Sequence, residues 1–239
     1  MNILFFDLET SPILGFAWSN YKTNLLSIEK ESGLLSFSYK VDDGPVHNLS
    51  RRGYSEKQIV KRLWKLFDEH EVLCAHNGDR FDVRMANKLF IRHKLKPPAP
   101  YKTIDTLKIA RRYFRFDSNK LDDLSTFLLG EQKLSTGLKL WMDCMKGNKK
   151  ALKKMEEYCE HDVYLQYRVY MKLRAWHTGH PNSNLYAGST HKCPTCSGNT
   201  QKRGFNYTRV GKYQRFQCTK SGCGSWSQGE KVNEDKLIR

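Results

Sequence analysis

Long apolar runs are missing from this chain. No stretch of about 18 apolar residues occurs, so no transmembrane helix is expected. The first residues, Met1 to Asp7, carry no basic flank, and Asp7 breaks their apolar run early, so a secretory signal is not expected. The expected location is cytoplasmic, in its own cell or in a host cell. Acidic residues are scarce beside basic ones: 25 Asp and Glu against 41 Lys and Arg, a formal net charge of +16. Such an excess favours a polyanionic partner, bound with release of counterions. No basic amphipathic helix stands out, which sets a membrane surface behind nucleic acid. Internal repeats and low-complexity tracts are absent too. Cysteines are few and odd in number, seven in all, so a simple disulfide framework is not the reading.

What is present suits one sizeable α/β domain and a small module. The chain has 239 residues, 39% hydrophobic and 12% aromatic, enough to pack a core. Met1 to Phe6 reads as a buried strand and Leu34 to Tyr39 as a second, with Asp42-Asp43-Gly44 as a turn. Ile13 to Ile28 is mixed and gives no clear element. Ser55 is a candidate N-cap for a helix bearing Ile59, Val60, Leu63, Trp64 and Phe67. Val72 to Ala75 is a short strand, and Arg80 to His93 a helix that Pro97, Pro98 and Pro100 follow. Tyr101 to Ile104 reads as a strand and Thr106 to Tyr113 as a helix. Ser118 and Asn119 offer caps for a helix from Lys120 to Leu129, which Gly130 ends. Lys149 to Ala175 is the longest helical pattern. Strands alternating with helices predict one sheet flanked by helices. The expected boundaries are a domain over 1–176, a linker over 177–190, a cysteine module over 191–229 and a tail over 230–239.

Three acidic segments carry the chemistry. Asp7 and Glu9 close the first strand, and residues two apart on a strand face the same side. Asp82 opens a helix after the turn Asn77-Gly78-Asp79. Tyr158 and Asp162 are four apart on the long helix and lie one above the other. Each segment also has a bland reading: an exposed strand end, a plain strand-to-helix turn, a solvated helix face. Hard divalent cations take oxygen ligands, so carboxylates such as Asp7, Glu9, Asp82 and Asp162 suit Mg²⁺ or Mn²⁺. Asp79, Asp105, Asp122 and Asp123 read as structural.

The tail holds Cys193-Pro-Thr-Cys196 and, after 21 further residues, Cys218 and Cys223. Two cysteine pairs on two turns can close a tetrahedral thiolate site for one structural Zn²⁺. His191 is a spare candidate ligand. Phe205 to Thr208 and Tyr213 to Gln217 suggest a hairpin with its tip at Val210-Gly211-Lys212. The aromatics Tyr207, Tyr213, Phe216 and Trp226 alternate with Lys and Arg, as on surfaces that grip single strands. The bland reading is that they pack the module's small core.

In that order the acidic segments resemble the motifs of the DEDD exonucleases of the ribonuclease H-like superfamily, over about residues 1 to 175. Asp7 and Glu9 match the first motif. Asn77, Phe81 and Asp82 match the second, and Tyr158 with Asp162 matches the tyrosine form of the third. The histidine form needs His at position 157, where Glu157 stands. The resemblance is closest to the proofreading exonuclease domain of family-B DNA polymerases and to stand-alone phage or bacterial relatives. The tail resembles a zinc ribbon, although its second pair is spaced C-x4-C. The resemblance implies a mixed α/β sheet flanked by helices and a 3′→5′ exonuclease acting by two metals. Asp7 would bridge both ions, Glu9 and Asp162 would hold one and Asp82 would act through the other. Tyr158 would orient the attacking water, with Thr10 and Asn77 holding the terminal nucleotide. The expected substrate is nucleic acid, DNA ahead of RNA, at single-stranded ends, cut by a monomer. Alternatives are a non-catalytic nucleic-acid-binding module and a structure-selective endonuclease on the same core.

Overall fold

The structure is a computed structural model and describes residues 2–19, 21, 24–187, 192–209 and 211–232. Met1, Val210, His191 and the tail beyond residue 232 lie outside the described residues, and with them Val210 of the expected hairpin tip and the spare ligand.

Strand β1 (Ile3–Thr10) shows why the first apolar run ends in acids. Its even residues Leu4, Phe6 and Leu8 pack on one face of the sheet with Leu63, Phe67 and Phe90. Its odd residues Ile3 and Phe5 pack on the other face with Val163, Val169 and Tyr170. Asp7 and Glu9 continue the odd row. The same alternation that buries Phe5 therefore aims both carboxylates at the second face.

β1 leads into a small exposed hairpin, β2 (Leu14–Phe16) and β3 (Ser27–Lys30). The chain returns as β4 (Leu34–Val41) and β5 (Val46–Ser50), both antiparallel to their neighbours. Helix α1 (Glu56–Glu69) starts at the expected Ser55, whose hydroxyl and Gln58 form a capping box. β6 (Val72–Ala75), α2 (Asp82–Arg92), β7 (Lys102–Asp105) and α3 (Thr106–Tyr113) follow. β6 runs parallel to β1, and β7 parallel to β6. The sheet order is β5-β4-β1-β6-β7, with β1 in the centre. Helices α4 (Leu121–Leu129) and α5 (Leu138–Met145) precede the 25-residue α6 (Lys149–Leu173). α6 lies across β1 and β4 on the face that carries Asp7. The expected mixed sheet flanked by helices is therefore present.

Three local expectations differ from the structure. α4 is not capped by Ser118 or Asn119: Lys120 sits at its N-cap without a side-chain bond, and the Ser118 hydroxyl turns to Asp123 instead. The bland reading of a solvated face on α6 fails at Glu156, beside Tyr158, whose carboxylate Ser50 and Arg52 hold. The segment around Ile13 to Ile28, unreadable in the sequence, contains the β2–β3 hairpin.

A second sheet, β10-β9-β8, forms from Thr200–Thr208 (β8), Gly211–Cys218 (β9) and Trp226–Val232 (β10). β10 crosses residue 229, the expected end of the cysteine module, and the expected linker contains a short helix, α7 (Ser183–Ala187). α7 holds the first cysteine turn. Ser183 donates its backbone N–H to the Pro194 carbonyl at 2.7 Å and its hydroxyl to the Cys193 carbonyl at 3.0 Å. The turn faces Ile3, Asp42, Tyr170 and Arg174 across a groove of about 300 Å³. The module thus sits at the start of β1, the opposite end from Asp7 and Glu9.

Candidate metal centre and cysteine module

The carboxylates of Asp7, Glu9 and Asp162 each bring an oxygen to a common point, all within 4.8 Å of one another. β1 supplies two of them and the buried stripe of α6 the third. Asp82 adjoins this trio as the first residue of α2. One of its oxygens accepts the Leu8 backbone N–H at 3.1 Å, which ties α2 to β1. Asp82 is 3% exposed and Asp162 likewise 3%, so water does little to separate their charges.

The electrostatics follow from that crowding. Burial, then the charge of Asp162, pushes Asp7 up to about 7. Burial, then Asp7 and Asp162, pushes Glu9 up to about 9. Burial, then Asp7, raises Asp82 well above the carboxylate range. Beneath them the Cys159 thiol donates to the Asp7 carbonyl at 3.5 Å and to its carboxylate at 3.6 Å.

A sequence reading could not supply Lys133. It lies in the loop before α5, and its ammonium reaches Asp162 Oδ2 at 2.5 Å and lies 5.0 Å from the centre of the Tyr158 ring. Burial lowers its pKa, but the attraction of Asp162 outweighs that and leaves it raised. Tyr158 is pushed up to about 12, by burial and then by Asp162. Nothing in the periodicity around Glu131-Gln132-Lys133 marks this residue.

Asn77 and Thr10 stand near the trio by chain position. Asn77 adopts a left-handed φ of 65°, which a short amide side chain tolerates. Its N–H donates to Asp105 Oδ1 at 2.9 Å, and its carbonyl accepts from Arg80 and Phe81. Asp105 also accepts from Leu107 and Lys108, capping α3, so its role is structural as expected. Asp79 pairs with Lys108 at 2.6 Å and donates its backbone N–H to Asp105. Thr10 follows a register shift between Glu9 and Thr10 that breaks the β1–β4 ladder.

The fit of this site to divalent cations rests on its own atoms. Asp162 Oδ1 is buried with no hydrogen-bond partner. Asp7 and Glu9 crowd it, the charge of Asp7 acts on Asp82, and all donors are oxygen, the preference of hard cations. A pH test follows. Folded Asp7 and Glu9 keep protons that ordinary carboxylates release near 3.8 and 4.5. The metal-free fold therefore binds more protons than the unfolded chain between about pH 4 and 9, and their ionisation makes it less stable as pH rises through that window. Gel filtration in chelator-free buffer would remove weakly bound cations and leave thiolate-bound metal. Relative to an Asp7→Asn, Glu9→Gln variant, the thermal midpoint is expected to fall by roughly 5–10 °C from pH 5 to 9. Adding Mg²⁺ at pH 9 should restore it. A slope shared by the variant would refute the assignment.

In the cysteine module, Cys193, Cys196, Cys218 and Cys223 bring their sulfurs within 4.8 Å of one another. Cys193 and Cys223 are 4.0 Å apart, and Cys196 and Cys218 3.6 Å. A tetrahedral site with bonds of about 2.3 Å needs sulfurs roughly 3.8 Å apart, so the cage has the right size. The wider C-x4-C turn closes because Gly222 and Gly224 take φ of 73° and 64°. Gly198 leaves the cage open: a Cβ there would lie 2.8 Å from Lys220 Cβ and 3.2 Å from Cys196 Sγ. Ser225, not anticipated, places its hydroxyl 3.0 Å from Cys193 Sγ.

The geometry now has a family. A profile described as the RNase_H superfamily matches residues 4–174, from the start of β1 to the end of α6. The chain belongs to the RNase H superfamily. Two comparisons give this RNase H superfamily chain its neighbours. It is 36% identical over 66 residues to the DNA polymerase III PolC-type of Ureaplasma parvum serovar 3, which is 28% of this chain and only 4% of that protein. In fold it resembles the family B DNA polymerase of Pyrobaculum calidifontis, with a TM-score of 0.56 at 14% identity, over 73% of this chain and 25% of that one. Among the described residues, no helix is long and apolar enough to cross a membrane.

Proposed function

We propose that this chain is a metal-dependent 3′→5′ exonuclease of the tyrosine DEDD type, acting on DNA with single-stranded ends. The observation that carries the reading is the carboxylate trio with Asp82 beside it, in a domain of the RNase H superfamily. The site fits two Mg²⁺ or Mn²⁺ ions, which when bound activate water and stabilise a leaving 3′-oxygen. Asp7 would serve both ions, a reading supported by its charge interaction with Asp162 on one side and with Asp82 on the other. Glu9 and Asp162 would share one ion, and Asp82 would serve the other. Tyr158 stands one turn before Asp162 on α6, where its hydroxyl can orient the attacking water. Its raised pKa makes it an orienting donor and not a base. Asn77 and Thr10 are assigned to the terminal nucleotide. The DNA preference follows the two polymerases it resembles. We assign residues 1–176 to catalysis and the four cysteines to one structural Zn²⁺.

The test is a set of oligonucleotides labelled at the 5′ or 3′ end, beside a covalently closed circle, each with Mg²⁺ or Mn²⁺. A 5′-labelled strand should shorten as a ladder, and a 3′ label should leave first as a mononucleotide. A cut circle would favour the endonuclease instead, and no cleavage the binding module.

Lys133 enters the same scheme as a positioning residue. Its ammonium holds Asp162, offsetting that carboxylate's charge, and lies against Tyr158. Lys133→Ala is expected to lower kcat by roughly 10- to 100-fold, with KM changed less than threefold. Lys133→Arg should recover part of kcat. A KM effect alone would place Lys133 on the substrate and not on Tyr158 and Asp162.

A further inference from the structure

The sheet β10-β9-β8 divides its aromatics unevenly. Phe216 lies against Gly229, where a Cβ would come within 2.6 Å of its ring, and Tyr213 lies against Gly211 in the same way at 3.0 Å. These two pack the module. Trp226 does not: it is 50% exposed. Register places it opposite Gln217, on the face that also presents Arg215, Gln228 and Asn206. On that face the Arg215 guanidinium lies 4.6 Å from the centre of the Trp226 ring. The Arg203 carbonyl fixes it there by accepting from Arg215 Nε at 3.0 Å. Asn206 donates to Gln228 Oε1 at 2.7 Å alongside. Asn206, Arg215, Trp226, Ser227 and Gln228 line a shallow groove of about 370 Å³ that contains no carboxylate.

Charge chooses the occupant. Residues 192–232 contain eight Lys and Arg (192, 202, 203, 209, 212, 215, 220, 231) and one acid, Glu230. We propose that this groove is a second nucleic-acid site, in which an unpaired base stacks on Trp226 while Arg215 meets the adjacent phosphate. An exposed indole with a fixed guanidinium over it and amide groups at its side matches the stacking and backbone contacts by which single strands are held. The site is separate from the carboxylate trio. Asp162 and Leu173 are 11 residues apart on α6, about 17 Å along the helix, and the module begins beyond that end. A strand end held at the trio would therefore reach the groove only several nucleotides upstream. That last step rests on the exonuclease reading; the binding itself does not.

The experiment is fluorescence anisotropy with fluorescein-labelled (dT)20 and with a 20-base-pair duplex. The Asp7→Asn chain is used in buffer free of Mg²⁺ and chelator, so that nothing is cut and thiolate-bound metal stays. In that background, Trp226→Ala is expected to weaken (dT)20 binding about tenfold and duplex binding less than threefold, while Trp226→Phe keeps most of the affinity. Arg215→Ala should lower the salt slope by about one. Unchanged zinc content, one per chain, excludes unfolding of the module. The proposal is overturned if Trp226→Ala leaves (dT)20 binding within twofold, or weakens strand and duplex alike, or if Trp226→Phe is as damaging as Ala with zinc retained. A chain that binds (dT)20 through Trp226 but cuts no labelled end would refute the exonuclease alone.

Discussion

Asp7→Asn is expected to lower hydrolysis of a labelled single strand by roughly 10³-fold or more, and at the same time to raise the thermal midpoint of the metal-free protein at pH 8. The two signs have one cause. Asp7 is held in a buried site where the charge of Asp162 repels it, and its own charge in turn raises Asp82. Loss of a bridging carboxylate removes several kcal/mol of charge organisation from the reaction, and each ~1.4 kcal/mol is a factor of ten. Loss of the same charge relieves a buried repulsion, since at pH 8 Asp7 is mostly ionised with its pKa at about 7. Asparagine keeps the shape, and its amide remains beside the Cys159 thiol. A variant that loses both activity and stability would have failed by unfolding, and would not support the assignment. One that gains stability and keeps activity would remove Asp7 from the chemistry. The measurements are initial rates with Mg²⁺ and Mn²⁺, and thermal melts after gel filtration.

This opposition of function and stability also explains what the sequence made legible. β1 could be read because its two faces obey one alternation, and the acids Asp7 and Glu9 interrupt it on a single face. α1 could be read because its buried residues recur at helical spacing behind a capping box. Asp162 was harder, since it lies on the buried stripe of α6 among mostly apolar residues, with Cys159 before it and Val163 after it. Only its partners across the sheet distinguish it from a solvated helix acid. The hairpin of β2 and β3 stayed hidden for the opposite reason. Its residues are exposed on both faces, Phe16 at 61% and Ile28 at 54%, so no alternation marks it. α5 begins at Gly137 with no side-chain cap, so its start carries no signal. Ser118 misled because its hydroxyl donates to Asp123 and accepts only the Lys120 N–H, one residue before the helix begins. Lys133 was illegible in principle. A lone lysine in a polar loop acquires meaning only when the fold carries it to Asp162.

The cysteine module makes the second large prediction, because its sheet has almost no core. Along β8, β9 and β10 the only buried residue is Cys218. Among the described residues the other buried positions of the module are Cys193, Thr195 and Ser225, all at the cage. Three strands with so little apolar burial do not hold together in water by themselves. On the proposed assignment a bound metal would supply the folding energy; a structural zinc site contributes about 10–16 kcal/mol at neutral pH. Stripping the zinc with a strong chelator, or replacing Cys218 with Ser, is expected to abolish amide-exchange protection across 200–232. The RNase H body has its own two cores on either face of its sheet, and β1, β6 and α6 should keep their protection. Protection should end near Ser183, whose bonds to Cys193 and Pro194 go with the cage. Zinc released per chain, read with a colorimetric thiol-displacement assay, should be one. Persistent protection of β9 without metal would mean that the strands carry their own stability and that the four sulfurs are clustered for another purpose.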